Sequence, residues 1–475
     1  MIVTMVFKKR LLMAVLILFG NSFSSLSLAK EYSLAEAIHK AQAIDPWLQG
    51  SHFRQENLEA LSIQAGTLQD PTISLGLANV PIDNFDFTQE GMTQVKVGVS
   101  QMFPRGKTLS LRQEKLEKLS QMQPFARLDR KASAAVTVSH LWLEAFRSQK
   151  SIALIEHDRG LFEYLVDVAQ SSYSTASGRT RQQDLVRAQL ELTRLEDRLI
   201  LLQQKRETQL AKLGEWLGDY GAINLSTSEA LPLAIESHNL VGALDSKNRN
   251  RLAEILTLHP KIVSINQKVK AGESGVKLAK QSYKPQWGVN ASYGMRDADP
   301  MGNDRADFLS VGVSFDVPLF TGKRQDKKVH AAVAEKEMIK TERALILRKL
   351  RAGFKTAEAR YQRLIDRKTL FDSRLLKEIS EQAEASLTAY THDDGDFAEV
   401  VRARIAELNA RIDALNIDID IQKTIAQINY FLVARPNHTN TNTNTNSSAM
   451  ENPSMDVSKK TSASTNATIL GEAYE

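Results

Sequence analysis

The sequence predicts a mainly α-helical chain with a small β part: long coiled-coil helical hairpins, four strands, and one plan used twice. Three observations carry this expectation. Prolines recur at a fixed interval, Pro46 with Pro260, Pro71 with Pro285 and Pro104 with Pro318, each pair 214 residues apart. Short segments beside those prolines alternate apolar with small or polar residues, which is the period of a half-buried strand. Longer segments beyond them repeat apolar residues at spacings of three and four, the seam of a coiled coil.

The N-terminus begins with a basic cluster, Lys8-Lys9-Arg10, followed by the apolar run Leu11 to Phe19 and the small-x-small ending Ser27-Leu28-Ala29. This order describes a cleavable secretory signal over residues 1–29, cut after Ala29. The apolar run is shorter than the ~20 residues a spanning helix needs, which argues against a retained anchor. Of 475 residues 42% are hydrophobic and 25% charged, too charged for a bundle of membrane helices. The formal net charge is +5, three of those charges sit in the leader, and the remaining +2 gives no argument for nucleic acid. There are no cysteines, so disulfides, thiolate chemistry and a lipidated cysteine are excluded.

Two structural repeats are expected, residues 30–213 and 251–434, joined by a connector over 214–250. A disordered tail, rich in Asn, Thr and Ser, fills 435–475. In the first repeat a helical segment from Leu34 to Leu68 starts at Ser33, a cap with Glu36 three residues on. After Pro71, Ile73, Leu75 and Leu77 alternate with Ser74, Gly76 and Ala78; in the second repeat Trp287, Val289, Ala291 and Tyr293 alternate with Gly288, Asn290 and Ser292. Polar loops at 81–91 and 296–307 follow. Return strands carry Val95, Val97 and Val99 in one half, and Leu309, Val311, Val313 and Phe315 in the other.

A near-continuous helix from Lys107 to Tyr173 would reach ~100 Å at 1.5 Å per residue. Residues 180–213 run back, with the hairpin tip near Gly178 and its counterpart near Gly395. The seams are Leu185, Ala188, Leu192, Leu195, Leu199 and Leu202 in one half. Val401, Ile405, Leu408, Ile412, Leu415 and Ile419 form the other.

Four amphipathic strands cannot close a transmembrane barrel, which takes at least eight, and an open sheet cannot lie in lipid. An oligomer is implied, two chains giving eight strands and three giving twelve. Strands of about nine to twelve residues suit an outer-membrane span, with Phe103, Trp287 and Tyr293 at its interfaces. The helices carry charged outer faces and must project into an aqueous space.

With these residues on the page, the doubled pattern resembles the TolC-like outer-membrane efflux factors from Tyr32 to about Ala434. The residues that carry the likeness are the paired Pro-strand-loop-strand-Pro units, Gln101-Met102-Phe103-Pro104-Arg105-Gly106-Lys107, and the Tyr-Gly-Asp hairpin tip. The resemblance implies a non-enzymatic homotrimer with a twelve-stranded barrel in outer-membrane lipid and a helical tunnel in the Gram-negative periplasm. The implied function is the exit duct of a tripartite efflux pump. The implied partners are a periplasmic adaptor and an inner-membrane transporter of the RND type, with no cofactor. Gly91-Met92 together with Gln101 to Lys107 further resembles the heavy-metal-efflux branch, many of whose members are lipid-anchored through an N-terminal cysteine that this chain lacks. Ducts for organic drugs or type I protein secretion are the alternatives within the class, and a coiled-coil envelope protein without a pore is the alternative outside it.

The resemblance also points to the periplasmic tip as the gate. Carried over by position, Tyr390 falls on the gate tyrosine and Glu399 on the first acidic position. Arg402 falls where a second acidic residue is common, so simple cation selectivity does not follow. His392, Asp393, Asp394 and Asp396 add charge, although a solvated polar turn accounts better for them individually. Tyr173, Gly178, Arg179, Arg181 and Asp184 form the basic first-repeat tip, an adaptor contact or a salt-linked lock against the acidic one.

Other signals are weaker. Gly106-Lys107-Thr108 fails as a phosphate loop because position 101 is glutamine. His157-Asp158 and the other histidines lack metal-ligand spacing and are expected at the solvent. Met92, Met102, Met295 and Met301 are expected to pack rather than to ligate. No catalytic constellation appears.

Overall fold

The computed structural model describes residues 31–174, 182–219, 223–226, 249–392 and 396–433. The signal segment with its cleavage point, Gly178, Arg179, Arg181, Asp393, Asp394, Gly395 and the tail from 435 lie outside the described residues, as does most of the connector. The chain opens with β1 (Glu31–Tyr32), α1 (Leu34–Ile44), α2 (Pro46–Gly66), β2 (Thr72–Ala78) and β3 (Gln94–Phe103). Helices α3 (Thr108–Ser120), α4 (Gln123–Ser174) and α5 (Gln182–Leu217) follow, then β4 (Asn224–Leu225). Next come α6 (Arg249–Thr257), α7 (Pro260–Lys280), β5 (Trp287–Met295), β6 (Phe308–Phe315) and α8 (Gln325–Leu370). A π-turn over Phe371–Leu375 leads into α9 (Leu376–Thr391), and α10 (Phe397–Leu432) completes the described order. All of these elements lie in one compact unit ending at residue 435.

The helix starts follow local chemistry. Ser33 Oγ accepts the Glu36 N–H at 3.2 Å while Glu36 Oε2 accepts the Ser33 N–H at 2.9 Å, the reciprocal capping box the sequence predicts. The segment from Leu34 is two helices, however. Asp45 stops α1 and caps α2 by accepting the Trp47 N–H at 3.0 Å, and Pro46, lacking an N–H, occupies the first position. Its counterpart His259 does the same for α7, its Nδ1 accepting the Lys261 N–H at 3.2 Å ahead of Pro260.

The expected near-continuous helix from Lys107 is broken in two at 121–122. Pro124 supplies no N–H to the Ser120 carbonyl and its ring crowds that carbonyl, so α4 restarts at Gln123. Helix α4 is then 52 residues, about 78 Å at 1.5 Å per residue. The inner strands, at 10 and 9 residues, have the expected length, whereas the outer two, at 7 and 8, are shorter, with Pro71 and Pro318 beside their ends.

The two seams meet in one core. Ala188, Leu195 and Leu199 of α5 pack with Val401, Leu408 and Ile412 of α10 against Ile155, Phe162 and Leu165 of α4. A second cluster sits where β1 pairs in parallel with β4. Trp142 stacks on Phe146 at 5.0 Å and donates to the Tyr32 carbonyl at 3.0 Å, with Leu213, Leu217 and Ile419 closing around it. Among the described residues no helix is long and apolar enough to cross a membrane.

Candidate functional site: a two-faced sheet and a helical tip

Strands β2, β3, β5 and β6 form one antiparallel sheet in that order. Its register sorts side chains by chemistry. On one face Leu75 lies opposite Val97, Val97 opposite Tyr293, and Tyr293 opposite Leu309. Beside that row Ile73, Val99, Ala291 and Val311 form the next, and Phe103, Trp287 and Phe315 line up at the end of the sheet nearest the helices. The other face carries Ser74, Gly98, Ser292 and Ser310 in one row and Ser100, Asn290 and Gly312 in another.

Among the described residues no helix covers the apolar face. Leu75 is 77% exposed, Leu309 74%, Val311 70% and Ile73 72%, where a soluble sheet would bury such a face against its helices. Gly106 makes the turn from β3 into α3 with φ of +49°, and a Cβ there would stand 2.5 Å from Gln281 Oε1 and Lys284 Cδ. Arg105 bridges the two strand pairs at this end, donating to the Lys284 carbonyl at 2.6 Å and pairing with Asp316.

At the opposite end of the helices the second tip is built on Tyr390 and Phe397, whose rings meet edge to face at 5.6 Å on the α4–α5–α10 core. Asp396 caps α10 by accepting the Ala398 N–H at 3.1 Å. Glu399 and Arg402, one turn apart, pair at 2.9 Å within the chain, and both remain substantially exposed. Arg402 also donates to the Ala398 carbonyl. Tyr173 is exposed in the last turn of α4, and Asp184 is buried in the first turn of α5. Thus Tyr390, Asp396, Glu399 and Arg402 are brought to one end of the α9–α10 hairpin. The acid-to-base contact expected between the tips involves residues outside those described.

Sequence reasoning missed a charged network about two to four turns up α10. Glu407, 6% exposed, accepts from Arg404 at 2.9 Å, from Arg411 at 2.5 Å and from Ser380 at 3.2 Å. Arg404 reaches Glu384 of α9 at 2.8 Å, and Arg411 reaches Asp158 of α4 at 3.5 Å. The spacing of Arg404, Glu407 and Arg411 beside the seam was the available signal.

Three expectations of solvent exposure are corrected. Asp158 is partly buried because α10 crosses it, while His157 is exposed. His259 is fully buried because it serves as a cap, and its Nε2 contacts the Tyr430 carbonyl at 3.0 Å. Burial holds its pKa below the ordinary histidine value, with the Tyr430 carbonyl and Asp129 opposing. His140, against the Lys423 carbonyl, is depressed by burial in the same way. Among the described residues no three His, Asp or Glu side chains form a group able to hold a metal ion.

A sheet with one bare apolar face, joined end-on to long paired helices, is the fold of the TolC-like outer-membrane channels. Solved structures of such channels superpose on most of this chain. CusC matches at TM-score 0.69 and 14% identity, covering 86% of this chain and 96% of that one. The outer membrane protein VceC from Vibrio cholerae matches at TM-score 0.67 and 14% identity, with 84% and 96% covered. The open state of the MtrE channel from Neisseria gonorrhoeae matches at 0.63 and 13%, with 84% and 88% covered. No protein-family model matches the sequence, and no curated protein matches it.

Proposed function

We propose that this protein is the outer-membrane exit duct of a tripartite efflux pump. Three copies, built on the internal repeat, close a twelve-stranded barrel, and their helices form a tunnel in the periplasm. The duct passively conducts what an inner-membrane transporter of the RND type and a periplasmic adaptor deliver. The single observation that carries this reading is the apolar face running unbroken across all four strands and left bare by the chain's own helices. In water that face would cost roughly 25 cal/mol for each Å² exposed; in lipid it costs nothing. The small and polar opposite face suits a water-filled lumen. The two outer strands, β2 and β6, present unpaired edges, which neighbouring copies satisfy by closing the barrel. Phe103, Trp287 and Phe315 then ring the periplasmic interface.

The tip around Tyr390 is the constriction in this proposal. The pairing of Glu399 with Arg402 argues for a nearly neutral ring there rather than a cation filter. Heavy-metal cations are the cargo suggested by Gln101 to Lys107, with organic compounds and secreted protein as the alternatives. Purified protein added to a planar lipid bilayer is expected to give stepwise conductance and to run as a detergent-resistant trimer. A folded monomer without conductance would refute the duct. Growth of a deletion strain across metals, dyes and antibiotics separates the cargo classes: sensitivity to organic compounds alone rejects the metals.

A further inference from the structure

The charged residues at the two ends of the sheet differ in sign. At the helix end, β6 is followed by Lys323, Arg324, Lys327 and Lys328, all exposed. Strand β5 is preceded there by exposed Lys277, Lys280 and Lys284, and β3 is followed by exposed Lys107. The register places Phe103, Trp287 and Phe315 side by side, so the segments that carry these cations all leave the sheet at the same end, the rim.

Exposed Asp70, just before β2, is an acidic residue at this end, and two others, Asp316 and Asp326, are already engaged. Asp316 holds Arg105 and accepts the Gln286 N–H at 2.6 Å, while Asp326 accepts the Tyr283 hydroxyl at 2.6 Å. Among the described residues none of the eight cations makes an ion pair within the chain. Directly beside them the apolar surface continues past the strand end, with Leu319 74% and Phe320 86% exposed.

The far end of the sheet is the reverse. The loop between β2 and β3 carries Asp83, Asp86 and Glu90 and no Lys or Arg. The loop between β5 and β6 carries four aspartates against Arg296 and Arg305, and both arginines are spent on backbone carbonyls, those of Ala306 and Gly91 and those of Glu90 and Thr88.

A band of lipid-facing residues, an aromatic and apolar edge, and then free cations is the order that matches acyl chain, interface and anionic headgroup. We propose that this rim is a binding surface for anionic phospholipid headgroups of the leaflet facing the helices. The inference rests on the duct reading, which puts the bare face in a membrane. Zwitterionic headgroups offer no net charge to these eight cations, so a preference for anionic lipid is the signature.

The test is native mass spectrometry of the full-length trimer from micelles containing equal amounts of phosphatidylglycerol and phosphatidylethanolamine. Retained phosphatidylglycerol is expected to exceed phosphatidylethanolamine by at least about tenfold and to fall as salt rises. The quadruple variant Lys323→Gln, Arg324→Gln, Lys327→Gln, Lys328→Gln is expected to lose most of that preference. The triple variant Lys277→Gln, Lys280→Gln, Lys284→Gln is expected to lose part of it. Removing exposed cations far along α8, Arg348→Gln, Lys349→Gln and Arg351→Gln, should leave it unchanged. Equal retention of the two lipids by the unaltered protein, or equal losses from rim and distant variants, overturns the surface. Conductance in a phosphatidylcholine bilayer separates the two claims: a pore without lipid preference sinks the headgroup surface alone, whereas absence of a pore sinks the duct.

Discussion

Glu407 offers the sharpest energetic test of how the second hairpin is held. Its carboxylate accepts from Arg404, Arg411 and Ser380, and its side chain and that of Arg404 are only 8% and 10% exposed. Replacing Glu407 with leucine leaves Arg404 with one partner, Glu384, which is itself 63% exposed. Arg411, 42% exposed, can turn to water. Breaking a buried pair from one side costs about 3–5 kcal/mol; because Arg411 and Glu384 can still be solvated, the lower end, about 3 kcal/mol, applies here. At 1.36 kcal/mol per decade, amide protection in α9 and the adjoining half of α10 should fall by about two decades. Hydrogen exchange read by mass spectrometry measures this segment by segment. The double variant Arg404→Met, Glu407→Leu removes both charges and should recover most of the loss. Unchanged protection in Glu407→Leu, or a double variant as unprotected as the single, would refute the argument that a buried charge network staples this hairpin.

Further outcomes follow from the same structure. Val311 sits mid-strand on the bare face, so Val311→Arg should cost about 2–4 kcal/mol of barrel stability and abolish detergent-resistant trimers; Ser310→Arg on the opposite face should leave them intact. Protonating His259 removes the acceptor for the Lys261 N–H. Because its folded pKa is lowered, the unfolded chain binds more protons below about pH 6.5, and stability is lost as pH falls through that range. His259→Asn keeps a cap without the titration, so its fall in Tm between pH 7.5 and pH 5 should be smaller than that of the unaltered protein. Arg402→Glu unpairs Glu399 and adds a second carboxylate at the tip, and the reversal potential across a salt gradient should move toward cation selectivity.

What the sequence displayed well were features repeated along one element. The alternation of Val95, Val97 and Val99 against Lys96, Gly98 and Ser100 specified both strand and face, because a one-residue slip would invert every side chain. The seam residues Leu195, Leu199, Val401 and Leu408 all reached the core for the same reason. Features depending on contact between distant segments were not visible. Arg404, Glu407 and Arg411 look like a solvated helix flank until α9 and α4 cover them. His259 looks like any surface histidine until α10 brings the Tyr430 carbonyl to its ring. The break before Pro124 was legible in principle, since a proline cannot continue the hydrogen bonding of a helix already under way. The π-turn at Phe371–Leu375 has no such local mark. At the tip, position alone assigned Tyr390, Glu399 and Arg402, whereas the edge-on packing of Tyr390 against Phe397 needed coordinates.

The central claim is that each chain supplies one third of a closed barrel, and the absence of native cysteines makes it directly testable. Single cysteines placed together at Ser74 of edge strand β2 and at Ser310, Gly312 or Ser314 of edge strand β6 probe the closure, because a disulfide forms only when the two Cα atoms come within about 4.4–6.8 Å. Oxidised in membranes, at least one pair should yield covalent dimers and trimers on a denaturing gel, with no ladder beyond three. Monomers alone for every pair, or a ladder that runs past the trimer, would contradict the account.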